Sequence, residues 1–103
     1  MIRVPSIAIV GGDARNHLSF PDATIRAFGS QKHGSGHRRS LLDAIRFKHI
    51  DLVILLVRWL GHPERDRFVD ACRKACVTYR VIPGGVSSAR RAIETFIHEV
   101  WRG

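Results

Sequence analysis

A β-sheet of parallel strands held between layers of helices, an α/β fold, is what this sequence predicts, and three observations carry the prediction. Short apolar runs alternate along the chain with segments of helical periodicity. Two of the runs, Ser6-Ile7-Ala8-Ile9-Val10 and Asp51-Leu52-Val53-Ile54-Leu55-Leu56-Val57, are continuous, as in strands covered on both faces. Glycine closes three of the four strand candidates, at Gly11-Gly12, Gly29 and Pro83-Gly84-Gly85. With 103 residues there is room for one core, so a single domain over 1–103 is expected.

The elements follow in order. Ser6 to Val10 is the first strand, and the alternating segment Ala23-Thr24-Ile25-Arg26-Ala27-Phe28 is the second. Between them, Asp13 to Asp22 carries Pro21 and a sparse apolar pattern, which fits a short helix or an ordered loop. Ser40 followed by Asp43 reads as a capping box ahead of Leu41, Leu42 and Ile45. Asp51 to Val57 is the third strand. Pro63 suits the first position of the next helix, with Glu64 and Asp66 in its first turn and Phe68, Cys72 and Ala75 on one face. Val77 to Ile82, β-branched and aromatic, is the fourth strand. Ser87 or Ser88 would cap a last helix whose apolar positions Ala89, Ala92, Ile93, Phe96, Ile97, Val100 and Trp101 keep the helical period. Such βαβ units imply a small Rossmann-like or flavodoxin-like three-layer domain of about four parallel strands, expected in the order 2-1-3-4.

Composition narrows the classes of function. Apolar residues make up 45% and charged residues 25%, which excludes a disordered or collagen-like chain. No apolar run reaches the roughly 18 residues of a membrane span, and MIRVPSIAIVGGD lacks a leader's apolar length and cleavage site, so a cytoplasmic protein without a membrane partner is expected. Cys72 and Cys76, four apart on a helix, are expected as free thiols. Lys plus Arg outnumber Asp plus Glu by 17 to 9, a net charge of +8 that suits an anionic partner.

In a parallel sheet of this kind every strand's carboxyl end opens on one edge, and ligands bind there. The loops on that edge hold Gly11, Gly12 and Asp13; His33, Gly34, Ser35, Gly36 and His37; Arg58 to Pro63 with His62; and Gly84, Gly85, Ser87 and Ser88. Arginines stand near two helix starts there, Arg38 with Arg39 and Arg90 with Arg91, where a cation opposes the helix dipole unless an anion is bound. Glycine-rich helix starts, hydroxyls and guanidinium forks together suit a phosphate or carboxylate.

The leading expectation is therefore a domain that binds a small phosphorylated or nucleotide ligand. Gly12, Gly84 and Gly85 would approach the anion; Ser35, Ser87 and Ser88 would donate hydrogen bonds; Arg38, Arg58 and Arg90 would neutralise it; His33 and His62 would contact base or sugar. Neither glycine loop is a nucleotide signature: G-x-G-x-x-G is incomplete and no Walker lysine follows. No cofactor is firmly implied. The plainer alternative is that Gly84-Gly85 only makes a turn.

Two other classes compete. Nucleic-acid binding would draw on arginines spread over several elements, among them Arg3, Arg26, Arg46, Arg73 and Arg102, with Trp59 to stack on bases. Metal or haem binding, or a small hydrolase, would use His33, His62 and Cys72, although their spacing matches no established metal motif. No G-x-S-x-G elbow or carboxylate pair supplies a positive catalytic signature.

Ile9-Val10-Gly11-Gly12, His33-Gly34-Ser35-Gly36, Asp51-Leu52-Val53-Ile54, Gly61-His62, Cys72-Arg73-Lys74 and Ser87-Ser88 form a series of short motifs. Through them the chain from Ile7 to Ile93 resembles a bacterial family of small stand-alone or appended domains of unknown function. The resemblance implies a Rossmann-like fold and a shared site at the loops 33–36, 61–62 and 87–88. The chain departs from the family pattern at Gly61, where relatives have serine, and at the acidic residue beside the histidine, which is missing here. Exposed sheet edges, Trp59, Trp101 and an apolar last helix favour a homodimer.

Overall fold

The computed structural model describes residues 4–11, 23–28, 35–57 and 60–101. Its centre is a strand, Leu52–Leu56 (β3), all five of whose side chains are buried. An unbroken run of branched apolar residues is stable there because both faces of the strand are covered, each fully buried side chain contributing about 1.5–3 kcal/mol. Ser6–Val10 (β1) lies parallel beside it, Ala8 opposite Val53 and Ile9 opposite Ile54. Thr24–Phe28 (β2) pairs with the far side of β1, Ser6 opposite Thr24, and Thr78–Ile82 (β4) pairs with β3, Leu52 opposite Thr78. The sheet is all parallel in the order β2-β1-β3-β4, the expected order.

Strand periodicity sorts the core into two layers. Ala8, Val10, Val53 and Leu55 face one side and pack with Leu41, Ala44 and Ile45 of helix Ser35–Arg46 (α1) and with Phe68 and Cys72 of helix His62–Ala75 (α2). Ile7, Ile9, Leu52, Ile54 and Leu56 face the other side and meet Ala89 and Ile93 of helix Val86–Thr95 (α3) and Phe96 beyond it. At the amino ends, Asp51 and Ser6 bind each other twice: Ser6 N–H donates to the Asp51 carboxylate at 2.8 Å, and Asp51 N–H donates to the Ser6 carbonyl at 2.7 Å. Asp51 thereby locks the register of β1 on β3.

The helix starts differ from expectation. α1 begins at Ser35, so Ser40 is an interior residue of the helix rather than its N-cap. The apolar period begins only at Leu41, whereas polar residues continue the same helix backwards for more than a turn. In α2, Gly61 is the N-cap and Pro63 the second helical residue, still within the first turn, where a missing N–H costs nothing. In α3, Gly85 is the N-cap, which places Ser87 and Ser88 in the first turn.

Two helices end in left-handed residues other than glycine. After α1, Lys48 has φ 58°, its N–H donates to Ile45 O at 3.0 Å and His49 N–H to Ala44 O at 2.8 Å. After α2, Cys76 has φ 58°, its N–H donates to Arg73 O at 3.3 Å and Val77 N–H to Cys72 O at 2.9 Å. Both are Schellman closures. The last helix does not stay α-helical to Trp101: Phe96–Val100 is a π-turn in which Trp101 N–H donates to Phe96 O at 2.9 Å. The wider turn leaves Ile97 and Trp101 packed with Phe96 on the same core layer.

Both outer strands carry an exposed arginine at their third residue, Arg26 in β2 and Arg80 in β4. Arg80 Nη1 donates to the carbonyl of Tyr79 at 2.9 Å, so β4's own side chain occupies part of that strand's hydrogen-bonding capacity.

Candidate functional site at the carboxyl edge of the sheet

α1 follows β2, α2 follows β3 and α3 follows β4, so the amino ends of all three helices lie at the carboxyl edge. There the partial positive charge of each helix dipole is strongest. The order β2-β1-β3-β4 reverses direction between β1 and β3, the point at which open sheets of this type form a crevice.

Gly11 stands at that point and is shaped by packing. Its φ is +97°, it is buried, and a Cβ built on it would lie 2.9 Å from the Leu56 carbonyl oxygen and 3.5 Å from Leu60 Cγ. Only glycine lets the end of β1 approach β3 this closely. Leu56 and Leu60 fill the space beside Gly11, so the reversal point is closed on that side by apolar contact.

The loop after β4 is more open. A Cβ on Gly85 would meet nothing within 4 Å. Over Gly84, by contrast, the Ser88 hydroxyl takes the space a Cβ would need. Ser87 and Ser88 are exposed in the first turn of α3, and Ser88 folds back towards the loop.

The two helix starts nearest β3 and β4 differ in charge. Neither Gly61 nor Gly85 can offer a side-chain cap, and the first helical bonds are Arg65 N–H to Gly61 O at 3.0 Å and Ala89 N–H to Gly85 O at 3.1 Å. The N–H groups of His62 and Glu64, and of Val86, Ser87 and Ser88, precede those bonds and have no acceptor within their helix. Glu64 puts a carboxylate in the first turn of α2, whereas the first turn of α3 contains no acid. An added anion near α3 would gain the full dipole attraction, about 0.3–1 kcal/mol when exposed.

Arg90 is the fifth residue of α3 and Arg38 the fourth of α1, deeper in their helices than expected. The dipole effect fades beyond the first turn, so the conflict inferred between these arginines and the helix ends is weaker than the sequence implied. Ser35 and Gly36 open α1, and His62 opens α2. Gly12, Asp13, His33, Arg58 and Trp59 lie outside the described residues.

Cys72 belongs elsewhere. It is fully buried in the core between the sheet and α2, and burial pushes its thiol up to about 11. It sits ten residues beyond His62 on one helix, roughly 15 Å along the axis, too far for both to hold one ion. The metal or haem alternative at His33, His62 and Cys72 therefore loses its cysteine. Among the described residues no three His, Cys, Asp or Glu side chains are grouped to hold a metal. Cys72 and Cys76 are both free, as expected.

Sequence reasoning missed Gly61 as an N-cap and the openness of Gly85. The signal for both was present, a glycine two residues ahead of Pro63 and of Ser87. Among the described residues no helix is long and apolar enough to cross a membrane. No protein-family model, curated protein or solved structure matches the chain.

Proposed function

We propose that this domain binds a small phosphorylated or nucleotide ligand at the carboxyl edge of its sheet, against the start of α3. One observation carries the reading: Gly84-Gly85 leads into a helix whose first turn has no side-chain cap and no acid but offers two serines, beside an open position at Gly85. Backbone N–H groups of Val86 to Ser88 and the hydroxyls of Ser87 and Ser88 would receive the anion. Arg90 would supply charge from the next turn. Gly12, His33, Ser35, Arg38, Arg58 and His62 complete the proposed binding set, the two histidines towards base or sugar.

The reading takes the protein to be cytoplasmic, where free thiols persist. It also includes a homodimer, proposed from the sheet's two outer strands and tested by light scattering against the chain mass of 11.6 kDa.

Thermal unfolding against a panel of nucleotides and sugar phosphates tests the ligand. A true ligand at about 100 times its Kd should stabilise the fold by about 2.7 kcal/mol, roughly 10 °C or more in Tm for a domain of this size. Replacing Ser88 and Arg90 together by alanine should remove most of that shift. A shift retained in full by the double variant would show that the ligand sits elsewhere.

A further inference from the structure

The opposite edge of the sheet carries a feature that anion binding at α3 does not use. α1 starts after the carboxyl end of β2 and ends before the amino end of β3, so its C-terminus lies at the amino edge. Four consecutive exposed residues close it: Arg46, Phe47, Lys48 and His49. Phe47 is 61% exposed, the most exposed large apolar side chain among the described residues.

This loop is held in place. Phe47 N–H donates to Asp43 O at 2.9 Å, and the Lys48 and His49 N–H groups return to Ile45 and Ala44 in the Schellman closure. Around the ring stand a guanidinium, Arg46 Cζ at 5.8 Å from its centroid, and an imidazole, His49 at 6.2 Å and tilted by 35°. Cations at a helix C-terminus complement its dipole, which accounts for Arg46 and Lys48. It does not account for a phenylalanine displayed to water on a braced turn.

We propose that Arg46-Phe47-Lys48-His49 is a contact site for single-stranded nucleic acid, Phe47 stacking on a base while Arg46 and Lys48 meet the flanking phosphates. Bases present a flat π-face to an exposed aromatic, and a net charge of +8 supplies the attraction for the backbone. The acids nearest in sequence are Asp43, exposed one turn back on α1, and Asp51, which accepts the Ser6 N–H. A duplex keeps its bases stacked on one another and out of reach of the ring, so single strands should bind preferentially.

The test is fluorescence anisotropy of labelled oligouridine and oligothymidine with the full chain. Phe47→Ala should weaken binding of both roughly tenfold to a hundredfold, and Phe47→Trp should restore it. Raising salt should weaken the wild type, and Arg46→Ala with Lys48→Ala should flatten that dependence by about 1.4 in log–log slope for two phosphate contacts. Binding to heparin, which has charge but no bases, should be unchanged by Phe47→Ala. A preference for RNA over DNA, or the reverse, would identify the strand within the same proposal. Equal oligonucleotide affinity of wild type and Phe47→Ala would overturn it, as would a wild type that binds neither strand but binds phosphatidylserine vesicles through Phe47.

Discussion

Single residues decide where this backbone can turn. Gly11 combines φ of +97° with a Leu56 carbonyl 2.9 Å from the position of any Cβ, and neither can relax without separating β1 from β3. Gly11→Ala should therefore destabilise the fold by about 1–3 kcal/mol, measured by urea unfolding. The opposite case is Lys48, which adopts φ 58° without being glycine. Lys48→Gly should stabilise by about 0.5–1 kcal/mol in the same experiment, because glycine enters the left-handed region without the Cβ penalty. Cys72 gives a pH dependence. Its folded thiol is raised from 9.0 to about 11, so the folded state holds that proton more tightly than the unfolded chain does. The associated stability is complete below pH 9 and is lost as pH rises to about 11, by roughly 2–3 kcal/mol. Cys72→Ser would test the assignment by removing that slope between pH 9 and 11, whatever its cost at neutral pH.

At the scale of elements, the start of α3 links stability to binding. Gly85→Asp places a carboxylate in space that is open, where it can accept N–H groups of the first turn. Asp exceeds Gly as an N-cap by a few tenths of a kcal/mol, so the variant should unfold at slightly higher temperature. The same carboxylate would occupy and repel the proposed anion, so the ligand-induced thermal shift should vanish. Rising stability with lost binding separates a ligand site from a structural turn. This helix also shows how far the sequence could be read. Continuous apolar runs identified β1 and β3 to within one residue at their ends, because burial on both faces leaves no other pattern at Leu52–Leu56, while alternation and β-branched content did the same for β2 and β4. Helix starts were less legible. The apolar period begins at Leu41 and is silent about Ser35 to Ser40, none of which is a large apolar residue, and serines at 87 and 88 looked like caps although Gly85 could take that role. The π-turn at Phe96–Val100 left no trace in a periodicity that both turn types satisfy. Of the candidate site, its edge and its loops follow from strand order, whereas Gly11's contact with β3 and the burial of Cys72 depend on packing between distant segments.

Across the whole molecule, the two proposed contacts lie at opposite ends of the strands. A strand of five residues spans about 17 Å, twice the Debye length of about 8 Å at physiological salt, so charge at one edge is largely screened from the other. Sites so separated, with no shared partner, should act independently. Gly85→Asp should thus abolish the thermal shift with the anionic ligand while leaving oligonucleotide affinity within about twofold. Phe47→Ala should do the reverse. The double dissociation is read by running both assays on both variants and on the pair combined. A shared loss, with each variant weakening both ligands, would instead mean that one extended basic surface wraps the domain from edge to edge. Oligonucleotide binding would then be the single activity, and the small ligand at α3 a phosphate of the same strand.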